Sequence, residues 1–283
     1  MSQPVWRTSR FEIDLTRPQV MGIVNVTPDS FSDGGHHLDL AAALEHCERL
    51  IVEGADILDI GGESTRPGAQ SVPLDEELRR VRPVLQHAVA LGVPVSIDTY
   101  KPDVMRCALD LGVDIINDIY GLRQPGALDA VTGHATCGVC VMHMSGDPVS
   151  MQRQVGEGDV ISEVRSFLAA RVDVLTKLGV DARRVVLDPG IGFGKTVEQN
   201  FELLRRQADL LELGHPLLIG WSRKSSLGAI SGRSADKRGV LSVAAALAAV
   251  QLGARIVRVH DVADTVDALK VWGLAGLSER RQS

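Results

Sequence analysis

The sequence predicts a single α/β domain, a closed (β/α)8 barrel, and three observations predict it. Eight short runs rich in β-branched and other apolar residues recur along the chain, most of them end in Gly, Asn or Asp, and helix-like segments fill the intervals. Continuous apolar strands alternating with helices mark a parallel sheet covered on both faces. Eight βα units within about 250 residues fit the barrel. A doubly wound open sheet is the structural rival, and it usually needs fewer strands.

Residues 1–16 precede the first unit and read as an N-terminal strand or hairpin that caps the barrel, with the barrel itself over 17–277. The predicted strands are Val20–Val24, Ala55–Ile60, Val93–Ile97, Val113–Ile116, Cys137–Met142, Val185–Leu187, Pro216–Ile219 and Ile256–Val259. The predicted helices are Leu40–Glu53, Asp75–Leu91, Lys101–Leu111, Ser162–Leu178, Glu198–Leu211, Val240–Leu252 and Ala263–Trp272, with a shorter one over Ser225–Ile230. No Gly/Ser/Pro linker divides the chain, and the polar run 278–283 reads as a disordered tail.

Composition narrows the function classes. Acidic residues (36) outnumber basic ones (30), so no cationic excess is available to neutralise a nucleic-acid backbone. Aromatics are only 4%, too few to form stacking platforms for single strands. Cys47, Cys107, Cys137 and Cys140 are scattered and make no disulfide framework. No signal-peptide stretch opens the chain, and the best apolar candidate, Val240–Leu252, is shorter than the roughly 20 residues that span a bilayer. The expectation is a soluble cytoplasmic protein with neither nucleic-acid nor membrane partners.

In a barrel of this type, chemistry gathers at the C-terminal ends of the strands. Here those ends carry Asn25, the stretch from Gly61 to Arg66, Asp98, Asn117-Asp118, Met142-His143, Asp188, Ser222-Arg-Lys224-Ser225, and Arg258 with His260. Polar groups are costly to bury unless satisfied, so this density points to one shared site. Arg258 and His260 are two residues apart on a strand, share a face, and suit phosphate oxygens. Asp98, Asn117 and Asp188 combine two carboxylates with a carboxamide, a set that matches a heterocycle with several N–H donors and a carbonyl, such as a guanine or a pterin. The same oxygens could instead hold Mg²⁺. Helix capping accounts for Asp118 and Asp261.

Other motifs carry less. Asp188-Pro-Gly-Ile-Gly-Phe193-Gly-Lys195-Thr fails the Walker A spacing at Pro189 and the dinucleotide fingerprint at Lys195, and reads as a flexible loop that brings Phe193 over a ligand. Cys137 and Cys140 fall three apart in a strand, face opposite ways, and read as core. The Thr99-Tyr-Lys-Pro102 stretch starts a helix and needs no function. Ser225 opens a helix beside Lys224, which could act as a point charge or as a Schiff-base nucleophile.

Eight segments together resemble one family. They are Met21-Gly-Ile-Val-Asn25-Val-Thr-Pro-Asp-Ser-Phe31-Ser-Asp33-Gly-Gly, Asp59-Ile-Gly-Gly-Glu-Ser-Thr65-Arg66-Pro67-Gly-Ala, Ser96-Ile-Asp98-Thr, Ile116-Asn117-Asp118-Ile, Met142-His-Met-Ser-Gly-Asp-Pro, Asp188-Pro-Gly-Ile-Gly-Phe193-Gly-Lys, Ser222-Arg-Lys224-Ser225 and Arg258-Val-His260-Asp-Val. The chain resembles the bacterial dihydropteroate synthases of the pterin-binding family over nearly its whole length.

That resemblance implies condensation of 6-hydroxymethyl-7,8-dihydropterin diphosphate with p-aminobenzoate to give 7,8-dihydropteroate and diphosphate. It implies Asp98, Asn117, Asp188 and Lys224 as pterin ligands, with Met142 packed on the ring. Asn25, Arg258 and His260 would hold the diphosphate, with Mg²⁺ bridging it to Asn25. Thr65, Arg66, Pro67, Phe31, Phe193 and Ser225 would shape the p-aminobenzoate site. The loops 31–35 and 63–69 would close over the substrates. Diphosphate departure by an S_N1-like path would leave cationic character that Asp98 and Asp33 stabilise, and the arylamine needs no strong base. A homodimer and sulfonamide sensitivity are implied as well. Ile191 and Trp221 depart from the family pattern, and Trp221 could reshape the p-aminobenzoate rim.

Rival readings remain open at this point: a folate-to-corrinoid methyltransferase domain, a non-catalytic pterin-binding paralogue, and a Lys224 Schiff-base aldolase. The intact segments around Asn25–Asp33 and Ser222–Ser225 disfavour the first two, and borohydride trapping of a carbonyl substrate tests the third.

Overall fold

Strand register decides the architecture. The computed structural model describes residues 4–27, 36–64, 69–146 and 158–276. Among them, eight parallel strands form one sheet: β3 (Gln19–Asn25), β4 (Ile57–Gly61), β5 (Val95–Asp98), β6 (Ile115–Asp118), β7 (Gly138–Met142), β8 (Val185–Asp188), β9 (Leu218–Ile219) and β10 (Ile256–Val259). Their lateral order is β8-β7-β6-β5-β4-β3-β10-β9, so the first strand of the series pairs with the last. A parallel bridge between Leu187 and Leu217 joins the two remaining edges, and the sheet curls into a nearly closed barrel.

Helices α1 (His36–Val52), α2 (Leu74–Ala90), α3 (Pro102–Asp110), α4 (Ala127–Thr132), α5 (Val160–Lys177), α6 (Val197–Arg205), α7 (Gln207–Leu211), α8 (Ser225–Ser231), α9 (Gly239–Gln251) and α10 (Val262–Leu274) fill the connections. Local chemistry sets several of their starts. Asp159 caps α5 by accepting from Ser162 N, and Thr196 with Gln199 forms a capping box on α6. The single helix predicted over Glu198–Leu211 is broken at Arg206, and the six-residue α4 was not predicted.

Alternation along the strands builds two cores. Outward residues such as Val24, Leu58, Ile97, Val141 and Val257 pack under the helices in one large cluster. Inward residues Met21, Ile57, Ile115, Cys140, Val186, Leu218 and Ile256 fill the lower half of the barrel together with Trp6, Ile13 and Leu15. Those last three come from the N-terminal hairpin β1 (Val5–Arg7) with β2 (Glu12–Asp14), and from the residue just beyond it, and they plug the end of the barrel at which the strands begin. The Trp6 indole N–H donates to the carbonyl of Arg184, just before β8. Cys137 packs in the outer cluster and Cys140 in the inner one, as opposite facing requires.

Candidate active site

Above the apolar layer the inward positions turn polar, and register brings them level. Asn25 pairs with Gly61, Gly61 with Asp98, and Asp98 with Asn117; one step along, Met142 pairs with Asp188. The predicted strands β5, β6 and β8 stopped short of these residues, yet Asp98, Asn117, Asp118 and Asp188 all lie within them. Backbone pairing with the neighbouring strands carries them into the sheet, while their side chains are held by Arg258 at Asp98, by Asp59 at Asn117, and by backbone N–H groups of the following turns at Asp118 and Asp188.

Asp98 is the centre of this mouth. Its Oδ2 accepts from Arg258 Nη2 at 2.7 Å. Its Oδ1 is buried and has no hydrogen-bond partner among the described residues, which leaves it to receive an incoming N–H. Burial holds the Asp98 pKa above the usual carboxylate range; the charges of Asp59, Glu77 and Asp118 add to the shift and Arg258 opposes it. Asp188 is also raised by burial, against the pull of Lys224, Lys195 and Arg258, and its Oδ1 accepts from Gly190 N at 2.7 Å.

Arg258 comes from β10, on the far side of β3. Its Nε donates to Asp59 Oδ2 at 2.5 Å while Nη2 reaches Asp98. Burial works against its charge, but Asp59 and Asp98 outweigh it and hold its pKa above the ordinary value. Asp59 was not singled out as a site residue. The signal was present: a carboxylate inside a five-residue strand that is buried throughout requires a cationic partner. His260 follows β10, and its Nδ1 lies 2.9 Å from the Ser222 hydroxyl.

On the opposite wall, the loop after β8 is pinned, not flexible as the glycines implied. Lys195 Nζ is buried and donates to the carbonyls of Gly190 at 2.9 Å and Phe193 at 3.1 Å. Gly192 N donates to Asn200 Oδ1 at 2.7 Å. Gly190 has φ +70°, and a Cβ there would meet the His143 carbonyl oxygen at 1.8 Å. Glycine here permits a conformation and a close approach; it does not confer motion on the folded loop. The loop lays the Phe193 ring 4.0 Å from Lys224 Nζ, in a small cluster with Met142, Met144 and Ile119.

Three further expectations are corrected. Trp221 is buried (1% exposed) and stacks on Phe201, so it belongs to the outer core and not to a site rim. The Asp261 side chain does not cap α10; it accepts from Arg223 Nη2 at 2.6 Å. Asp118 caps a turn instead of a helix, accepting from Tyr120 N and Leu122 N. The stretch Thr99–Pro102 also does more than begin a helix. Lys101 pairs with Glu63 and Glu77, and Glu63 also receives Val72 N at 3.1 Å and the Tyr100 hydroxyl at 2.7 Å.

The structure thus brings Asp98, Asn117, Met142, Asp188, Phe193, Lys224, Arg258, His260 and Asn25 to one end of the barrel, with Ser225 exposed at the first turn of α8. Phe31, Asp33, Thr65, Arg66 and Pro67 lie outside the described residues. The combination of buried acceptors for ring N–H groups and adjacent cations defines a site for a nitrogen heterocycle bearing an anion.

Comparison with known proteins agrees with this class. The pterin binding enzyme family matches residues 21–260. A dihydropteroate synthase of Neisseria meningitidis serogroup C is 51% identical, over 98% of this chain and all of its own length. A solved structure of the Xanthomonas albilineans dihydropteroate synthase with 4-aminobenzoic acid superposes with a TM-score of 0.92 at 51% identity, over 97% of this chain and 99% of that one. The Burkholderia cenocepacia enzyme, solved with 7,8-dihydropteroate, gives 0.87 at 50% identity over the whole of both chains. The chain belongs to the pterin binding enzyme family, and within it to the dihydropteroate synthases.

Proposed function

We propose that the strand-end site performs the synthase reaction with the residues just described. The chain is a transferase that condenses 6-hydroxymethyl-7,8-dihydropterin diphosphate with p-aminobenzoate, giving 7,8-dihydropteroate and releasing diphosphate. The observation that carries the assignment of roles is the Asp98 carboxylate, with one oxygen held by Arg258 and the other buried without a partner.

In this reading the free Asp98 oxygen and Asp188 accept ring N–H groups, Asn117 supplies an amide, and Met142 packs on the ring. Lys224 and the Phe193 ring flank it. Arg258 and His260, with Asn25, face the diphosphate. Breaking the C–O bond to diphosphate leaves positive character on the exocyclic methylene carbon, which the ring nitrogens donate into. The Asp98 charge stabilises that carbon electrostatically. The arylamine lone pair then forms the C–N bond and the nitrogen loses its proton to solvent. An S_N1-like course follows, with Asp33 in the same supporting role. Thr65, Arg66, Pro67, Phe31, Phe193 and Ser225 form the p-aminobenzoate end, which a sulfonamide would also fill.

The described residues suit Mg²⁺ as an ion arriving on the diphosphate. Among the described residues no group of three His, Cys, Asp or Glu side chains could hold a metal. Mg²⁺ commonly takes one or two protein oxygens plus phosphate oxygens. The Asn25 amide oxygen would be its protein ligand, and the ion would supply charge neutralisation for the leaving group.

Two coarser readings complete the proposal. A cytoplasmic place is part of the proposal; no helix among the described residues is long and apolar enough to cross a membrane. Val240, Val271 and Leu274 on the packed pair α9 and α10 are 77%, 69% and 92% exposed, which supports a homodimer through these helices.

The direct test is diphosphate release from the pterin diphosphate with Mg²⁺, with and without p-aminobenzoate. Release coupled to dihydropteroate formation is expected. Pterin binding without product would replace this reading with that of a silent paralogue. Light scattering at micromolar concentration should give twice the chain mass.

A further inference from the structure

We infer that Asp59 is a positioning residue for the synthase reaction: it sets the plane of the Arg258 guanidinium and the orientation of the Asn117 amide, and so keeps one oxygen of Asp98 open for the pterin. The inference rests on the roles proposed for Arg258, Asp98 and Asn117.

Asp59 lies in the middle of β4 and is completely buried. Its register neighbours are Ile23 and Ser96, neither of which can neutralise it. The charge is met by Arg258, whose Nε donates to Oδ2 at 2.5 Å from the other side of β3. The guanidinium then spans two carboxylates on adjacent strands, Asp59 through Nε and Asp98 through Nη2. Two anchors fix a planar group in a way that one cannot.

The alternative arrangement shows what Asp59 prevents. An arginine with Asp98 as its sole partner would close on it in the forked, two-bond geometry that guanidinium and carboxylate favour. That would occupy Oδ1, the oxygen that here has no partner. The Asp59 carboxylate holds the Nε edge away and limits Asp98 to one contact. It also draws the Asn117 side chain: Nδ2 stands 3.4 and 3.3 Å from its two oxygens, which orients the amide with nitrogen toward Asp59 and carbonyl away from it. Both Asp59 oxygens are already engaged by Arg258 and Asn117, so Asp59 acts through these two residues.

The test compares the wild-type enzyme, Asp59→Asn, Arg258→Met and the double variant, with initial rates varied in each substrate and melting curves as a check on folding. Asp59→Asn should raise KM for the pterin diphosphate about tenfold or more and lower kcat, while KM for p-aminobenzoate stays within about twofold. Because Asp59 acts largely through Arg258, the double variant should retain kcat/KM within about threefold of Arg258→Met alone. Wild-type kinetics in Asp59→Asn, or losses that multiply in the double variant, would overturn the inference. If Asp59→Asn does not fold, the pair Arg258→Met and double variant still decides, since the double variant removes both charges. A normal KM for the pterin diphosphate in Arg258→Met would instead sink the proposed role of Arg258 itself.

Discussion

The Ser222 hydroxyl and the His260 imidazole form a closed pair: Ser222 Oγ lies 2.9 Å from Nδ1 and accepts the His260 backbone N–H at 3.1 Å. A serine that accepts the backbone N–H has its own proton to give, and Nδ1 is the acceptor in reach. With Ser222 donating to Nδ1, the ring proton of neutral His260 sits on Nε2, the tautomer suited to donate to a phosphate oxygen. The pair orients a donor; it is not a nucleophile and its base. Ser222→Ala should raise KM for the pterin diphosphate about two- to tenfold, the range of one net hydrogen bond, with KM for p-aminobenzoate unchanged. An unaltered pterin KM would rule the orienting role out.

In the proposed mechanism Asp98 must be ionised to accept ring N–H groups and to stabilise a cation. Its pKa is raised by burial, so the ionised fraction grows only as the pH climbs above the ordinary carboxylate range. The acid limb of kcat/KM for the pterin diphosphate should therefore lie above that range. Asp98→Asn should abolish the limb and lower kcat about a hundredfold or more. The sign for stability is opposite. A group whose folded pKa is raised stabilises the fold while protonated, and that contribution is lost as the pH rises through the folded value. At neutral pH the neutral amide should melt no lower than the wild type. Near-normal turnover in Asp98→Asn would remove it from the mechanism.

Lys195 gives a second pH test. Burial lowers its pKa to about 7 from an ordinary value of 10.5, with nearby Lys224 acting in the same direction and Asp188 and Glu163 in the other. Between these values the unfolded chain binds the proton and the folded chain does not, so stability attributable to this group rises with pH from about 7 towards 10. Lys195→Met removes the titration. The melting temperature of the wild type relative to the variant should climb over that window, by differential scanning calorimetry. A flat difference would show that the amine titrates normally. The variant should also raise both KM values, because the Gly190–Phe193 turn loses its pin.

Trp6 sits at the other end of the barrel from the site. It is fully buried, and its ring fills the opening among Met21, Ile57, Cys140 and Ile256. Trp6→Ala should cost about 3–5 kcal/mol, a fall in melting temperature of about 5–8 °C at this chain length. Both KM values should stay within about twofold at 20 °C. A large change in KM with little change in stability would contradict the division of the barrel into a plugged base and a working mouth.

Most of the fold is legible because buried parallel strands must be apolar and helices between them must be amphipathic. All eight strands fall in the predicted intervals; the ends of β7, β9 and β10 are as predicted, and β3, β4, β5, β6 and β8 run one or two residues further. A run such as Val93–Ile97 loses its apolar character at Asp98, though the backbone stays paired. The site was legible where a polar residue ended an apolar run. It was not legible where the partner was remote: Asp59 and Arg258 are 199 residues apart, and Ser222 and His260 are 38 apart. The break at Arg206 lacked any Gly or Pro to announce it.

The pairing of β3 with β10 has a consequence for how the molecule comes into being. Gln19 stands beside Ile256, so the ring cannot be completed while the chain is still emerging from the ribosome short of its last strand. Asn25 is made early, and Arg258 and His260 nearly last. A prematurely terminated product therefore lacks the barrel seam together with the two side chains proposed to face the diphosphate. A fragment ending before β10 carries the carboxylates Asp59 and Asp98 without the arginine that balances them.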